Sequence, residues 1–125
     1  MPKLTFSVPW DALCSKNAKF VGKFSKVLSP QYRDAQEKLG TLAMVAAKKQ
    51  KWKRTDKACK LTWHITEPDH RKRDPYNYGE CILDALTKST HDLIWWDDSQ
   101  AQWGEFRNVG TDKEKAGATI TVEEL

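Results

Sequence analysis

The sequence predicts an α+β fold in which two main helices pack on a small mixed sheet. Three observations predict it. Short stretches alternate apolar with polar residues, the period of a half-buried strand. Longer stretches repeat apolar residues at three- and four-residue steps, the period of an amphipathic helix. The order that results is β, loop, α, β, α, β, β, without the regular βα alternation of a parallel α/β sheet. A chain of 125 residues has room for one core, so residues 1–125 are expected to form a single domain. No repeat or low-complexity segment interrupts it.

Leu4, Phe6 and Val8 alternate with Thr5 and Ser7, which predicts a strand over residues 3–8 stopped by Pro9. Residues 11–28 lack clean periodicity. Their lysines (Lys16, Lys19, Lys23, Lys26) are interleaved with Phe20 and Phe24, which suits a flexible basic loop that touches phosphates and stacks on bases. A solvated loop with two phenylalanines tucked into the core fits the same pattern. Ser29–Pro30 is a helix start, a capping hydroxyl followed by a proline where its missing N–H costs nothing. Tyr32, Ala35, Leu39, Leu42, Ala43 and Ala46 then mark a helix over 30–49. Gly40 inside it costs about 1 kcal/mol relative to Ala. The helix ends in KKQKWKR, cations that suit the negative end of a helix dipole and that are also able to contact a nucleic-acid backbone.

Leu61, Trp63 and Ile65 alternate with Thr62, His64 and Thr66 to give a second strand, ended by Pro68. A second helix is expected over 77–90, with Tyr78, Cys81, Ile82, Ala85 and Leu86 on its apolar face and Asn77, Glu80, Asp84 and Lys88 opposite. Residues 101–109 can form a strand. Ala118, Ile120 and Val122 alternate through a last one, and TDKEKAG between them is expected to be a hairpin loop.

The net charge of +4 hides an asymmetry. Residues 1–60 hold 14 Lys+Arg against 4 Asp+Glu, and residues 61–125 hold 7 against 13. A basic front half and an acidic back half suggest a polyanion partner and a carboxylate-rich site, unless the charges simply mix on folding. Cys14, Cys59 and Cys81 show no CxxC spacing, so neither a zinc motif nor a disulfide framework is expected. MPKLTFSVPW lacks a signal-peptide core, and no apolar run approaches the roughly 20 residues of a membrane span. A soluble cytoplasmic protein with no membrane association is expected.

The chemistry concentrates in residues 70–100. A basic tetrad (His70, Arg71, Lys72, Arg73) precedes Asp74, and Asp97–Asp98 follows a hydrophobic segment. Cations to hold phosphates beside carboxylates to hold a divalent metal are what phosphodiester cleavage requires. Asp74, driven to an extended conformation by Pro75, and Asp98 suffice for Mg²⁺ if the sheet brings them together, since that ion keeps several waters. Glu80 or Asp97 would then supply a further oxygen. Each residue has a plainer reading. Asp97–Asp98–Ser99 reads equally as a turn or cap, Asp84 as a solvated partner of Lys88, and the tetrad as an exposed charged turn.

The elements RKRDPYN, LDALTK and WWDDSQ, in that order, resemble the signature of the RusA family of Holliday junction resolvases. The match covers about residues 61–100 and extends more loosely to the opening SVPW, the YRDAQ segment and the closing TITVEE. The resemblance implies a small homodimeric, magnesium-dependent endonuclease of bacteria or their phages, acting in recombination and repair. Such enzymes cut four-way DNA junctions by paired incisions, and Mn²⁺ is a possible substitute metal. It assigns Asp74 and Asp98 as catalytic metal ligands and Asn77 and Asp84 as family positions. Lys16, Lys19, Lys23, Lys26, Arg71, Lys72 and Arg73 would grip the DNA. Two positions depart from the pattern: Tyr76 stands where the family has an aspartate, and Glu80 where it has a lysine. A short insertion within STHDLI precedes the double aspartate. Glu80 would compensate for the lost ligand, with Asp97 as a further catalytic carboxylate and Asn77, Asp84 and Lys88 in support, or the departures leave a branched-DNA-binding protein that no longer cuts. Hydrolysis of flap or single-stranded DNA is a third expectation.

Overall fold

The computed structural model of the chain describes residues 2–22, 26–91 and 93–125. Strands β1 (Lys3–Pro9), β2 (Cys59–Glu67), β3 (Ala101–Thr111) and β4 (Gly117–Glu124) form one sheet in the order β1-β4-β2-β3. Helices α1 (Pro30–Lys49) and α2 (Gly79–Thr87) cover one face of it. The alternation of the sequence decides which face. Leu4, Phe6 and Val8 from β1, Leu61, Trp63 and Ile65 from β2, and Ala118, Ile120 and Val122 from β4 all turn inward and are buried. On the opposite face the hydroxyls of Thr5 and Thr121 meet at 3.4 Å, as do those of Ser7 and Thr119. The predicted α+β class with a mixed sheet and two helices is what folds.

The loop between the last two strands is not a hairpin. β3 pairs in parallel with β2, from Cys59↔Ala101 to Glu67↔Thr111, while β4 lies antiparallel between β1 and β2. Residues 112–116 therefore cross the end of β2, where the Asp112 N–H donates to the Glu67 carbonyl at 2.8 Å. The physical reason is burial. β4 brings three buried side chains to the centre of the sheet, whereas β3 carries Glu105 and Arg107 and suits an edge.

α1 starts and stops where its sequence predicts. The Ser29 hydroxyl accepts the Tyr32 N–H at 3.1 Å and donates to the Ala18 carbonyl at 2.6 Å, so one residue caps the helix and pins the preceding loop. Gly40 has a packing role: a Cβ there would stand 2.5 Å from the Cβ of Ser89, so its absence lets α1 approach the end of α2. At its other end Trp52 N–H donates to Ala47 O at 2.8 Å and Lys51 N–H to Lys48 O at 3.3 Å, with Lys51 at φ 58. This is the bonding of a Schellman cap, with lysine where glycine is usual.

The second helix is shorter than the expected 77–90. Pro75 and the Asp74 cap first form a tight 3₁₀ turn over Pro75–Tyr78, and α2 proper runs from Gly79 to Thr87. Gly79 permits the join, because a Cβ there would lie 2.7 Å from the Trp63 ring. Trp63 is fully buried, stacks on Phe106 at 5.0 Å between centroids, and donates its indole N–H to the Pro75 carbonyl at 2.8 Å.

The segment expected as a flexible basic loop is docked over its described residues. Ala12, Leu13 and Cys14 are buried, 3₁₀ turns cover Trp10–Ala12 and Lys16–Ala18, and Phe20 bridges to Leu28. Short apolar residues too few to show periodicity anchor it. Lys23 and Phe24, assigned to the same loop, lie outside the described residues. No helix among the described residues is long and apolar enough to cross a membrane.

Candidate active site

Two aspartates cap two short 3₁₀ turns. The Asp74 carboxylate accepts the Tyr76 N–H at 3.0 Å and that of Asp97 accepts the Ser99 N–H at 2.9 Å. Asn77 closes the first turn through its backbone, its N–H donating to the Asp74 carbonyl at 3.0 Å. At the second turn, Gln100 accepts from the N–H groups of Trp96 and Asp97, both at 2.9 Å, and donates to the carbonyls of Thr55 and Lys57. Asp97 thus fulfils the cap reading of Asp97–Asp98–Ser99, which leaves Asp98 without that task. Both carboxylates are exposed. The side-chain hydrogen bond with Asp97 and the negative charges of Asp97 and Asp84 raise the pKa of Asp98, which Lys88 partly offsets. Asp97 moves the other way, lowered first by the Ser99 N–H.

Buried Trp95 fixes this turn to the core, its indole N–H donating to the Thr87 hydroxyl at 2.8 Å. Its neighbour Trp96 points outward, and the guanidinium of Arg54 stacks 3.4 Å from its ring centroid.

Along α2, Asp84 is engaged rather than solvated. Its carboxylate accepts the hydroxyl of fully buried Tyr32 at 2.8 Å and faces the Lys19 ammonium at 3.5 Å. Lys88, expected to pair with it, meets it only through its backbone N–H, which donates to the Asp84 carbonyl at 2.8 Å. The Lys19 ammonium also bonds Glu80. Burial first, then Asp84, pushes the Tyr32 phenol far above its ordinary pKa. The carboxylates of Glu80 and Asp84, together with Asp98 near Lys88, thus follow one helix. Asp74 caps the 3₁₀ turn that leads into the same helix. No three His, Cys, Asp or Glu side chains among the described residues form a group that could hold a metal.

The two departures from the family pattern have neighbours of their own. Tyr76 packs against Phe106 and Trp103 at 5.5 and 6.3 Å between centroids, with the Lys16 ammonium 5.2 Å above its ring. Tyr76, Gly79, Glu80, Leu83, Trp103 and Lys16 together line a recess of about 180 Å³.

The cations differ in the same way. Arg73 has only 14% of its side chain exposed, bonds Asp69 at 2.8 Å and lies 3.8 Å from Glu67. The Arg73 guanidinium, with the Arg71 N–H, holds the Asp69 carboxyl down at about 2. His70, Arg71, Lys72, Lys16 and Lys26 are exposed. Sequence reading missed Glu67, which is buried at the end of β2 and has one carboxylate oxygen without a hydrogen-bond partner. Its place as the last inward residue of an alternating strand was the available signal.

Of the other histidines His91 is exposed, and the cysteines do not offer softer ligands. His64 is 2.6 Å from Glu105 on the open sheet face, and all three thiols are buried. Burial raises the pKa of Cys81 to about 12 and that of Cys59 to about 11.

The fold is an α+β domain with acidic and basic side chains gathered along α2 and the turns beside it. Residues 9–123 match the family model of endodeoxyribonuclease RusA. The chain belongs to that family, and membership implies the nuclease activity of a Holliday junction resolvase. No match is found among curated proteins.

Proposed function

We propose that this chain is a metal-dependent, structure-selective DNA endonuclease that resolves four-way junctions by paired phosphodiester cleavage. The observation that carries the reading is the exposed Asp97–Asp98 pair, held on a rigid turn in a chain of this family. Asp98 and Asp74 would hold Mg²⁺ or Mn²⁺, with Asp97 or Glu80 as further oxygen donors. Such a metal supplies an activated water and stabilises charge on the phosphate. Asp97 orients Asp98, and Lys88 tempers the local negative charge. Asn77 shapes the Asp74 turn, and Asp84 holds Tyr32 and Lys19 in place.

Arg71, Lys72, Lys16 and Lys26 would contact the backbone of the substrate, with Arg73, Lys19 and Lys23 as the other cations of that set. A four-way junction has near two-fold symmetry, so a C₂ homodimer would present two sites to opposing strands. The place of action would be the cytoplasm of a bacterium or a phage-infected cell, in recombination or repair. The test is an annealed four-way junction incubated with Mg²⁺ and wild type or Asp98→Asn protein. Paired nicks from wild type alone are expected. Intact junctions in both, with folding and binding confirmed, would refute catalysis.

A second reading is a branched-DNA-binding protein without cleavage. It is favoured by Glu80, whose carboxylate is bonded to Lys19, and by Tyr76, which packs among aromatic rings. Salt-dependent junction binding with neither Mg²⁺ heat nor nicking would establish it.

A further inference from the structure

Where α1 ends, Lys3, Lys51, Lys53, Arg54 and Lys57 line an open groove of about 420 Å³, and among the described residues its only carboxylates are Asp56 and Glu124. Lys57 lies 3.4 Å from Glu124, while Lys3, Lys51 and Lys53 have no ion-pair partner among the described residues. The usual account of such lysines is the helix dipole, but that effect fades within the last turn, which holds Lys48 and Lys49. Lys51 and the cations after it lie beyond. Lys51 is moreover held at φ 58, a conformation glycine adopts without strain, so the cap itself does not call for a lysine.

The groove is also joined to the candidate active site. Arg54 stacks on Trp96, Thr55 bridges to Trp95, and Gln100 bonds the carbonyls of Thr55 and Lys57 while capping the Asp97 turn. A polyanion lying in the groove would therefore meet, through Arg54, the exposed indole of Trp96, 56% accessible, which directly precedes the Asp97–Asp98 pair in the chain.

We propose that this groove is a binding site for the phosphate backbone of a DNA strand, leading the strand to Asp98. The inference rests on the nuclease reading for its endpoint, but the binding it describes is separable from cleavage. The ligand is a nucleic acid rather than an acidic peptide because an exposed indole, Trp96, adjoins the cations through Arg54 and offers a face on which a base can stack. Lysines beyond the reach of their own carboxylates are those able to replace the counterions of phosphates.

The test is the affinity of fluorescently labelled four-way junction, measured in EDTA across a salt series. The Lys51→Ala/Lys53→Ala double variant is compared with Lys113→Ala/Lys115→Ala in the β3–β4 loop. The groove variant is expected to lower the salt slope by about two, roughly 0.9 for each lost phosphate contact, and the loop variant to leave it unchanged. An unchanged slope in a folded groove variant would overturn the inference, as would equal losses in both variants or capture of polyglutamate in preference to DNA. Lys51→Gly gives a second readout: weaker junction binding with a melting temperature equal to or above wild type is expected. Unaltered binding by that variant would again overturn the site. Wild-type protein that binds through the groove yet never nicks with Mg²⁺ refutes the nuclease reading and leaves this one standing.

Discussion

Asp84 lies on α2 and Asp98 on the 3₁₀ turn before β3, near enough for Asp84's charge to act on Asp98, yet their surroundings differ throughout. Asp84 is 14% exposed, receives the Tyr32 hydroxyl and faces Lys19. Asp98 is exposed, adjoins a second aspartate that performs the capping, and has its pKa raised. The difference teaches that enclosure by donors commits a carboxylate to holding the fold together. An aspartate relieved of capping by its neighbour keeps its carboxylate exposed, as the proposed metal site requires. The two should accordingly fail in different assays.

The largest effect separates them directly. Asp98→Asn should lower junction cleavage by at least about a hundredfold, since metal activation contributes several kcal/mol to the transition state. Its melting temperature should not change. Asp84→Ala should do the reverse and lose about 2–3 kcal/mol in urea unfolding, because it leaves the buried Tyr32 hydroxyl without its acceptor and Lys19 with Glu80 alone. Tyr32→Phe is the gentler version and should lose about 1–2 kcal/mol. If Asp84→Ala proved as stable as wild type, the contrast between the two carboxylates would collapse.

pH divides the two regions as well. Asp98 must be ionised to hold a cation, so Mg²⁺ affinity should fall as pH drops through its raised pKa. Asp84→Asn should move that fall to lower pH by removing one of the negative charges that raise it. A titration of Mg²⁺ heat against pH for both proteins checks the shift. The buried interior should weaken in alkali instead. The folded state keeps protons on Cys81, Cys59 and Tyr32 that the unfolded chain releases at lower pH. Rising pH therefore favours the unfolded state, and melting temperatures should decline from about pH 9 upward. The smallest effect is chemical: Cys81, kept protonated up to about 12, should resist alkylation at pH 8 in the native protein.

The elements themselves were largely legible. Alternation placed the inward residues of β1, β2 and β4, and Ser29–Pro30 marked the start of α1. Local signals suffice there because each element's own pattern names its buried face. The turn at Asp97 was equally readable as a cap, and the structure gives the cap to Asp97 alone. Sequence could not divide the pair, since both aspartates satisfy the same local rule. The cations were harder still. Arg73 and Lys19 look like phosphate ligands in a basic run, yet their partners Glu67, Asp69, Glu80 and Asp84 take them up in the fold.

By itself the chain's order of residues determined its class, its two helices, its inward faces and the identity of the motif that places it in its family. Those follow from periodicity and short-range capping, which act between residues a few positions apart. Tertiary structure alone decided that β4 enters the middle of the sheet, that Gly40 and Gly79 mark close approaches, and which charges remain without partners. Each of these depends on what arrives from a distant segment, because burial and ion pairing are properties of the space around a side chain and not of its neighbours along the backbone.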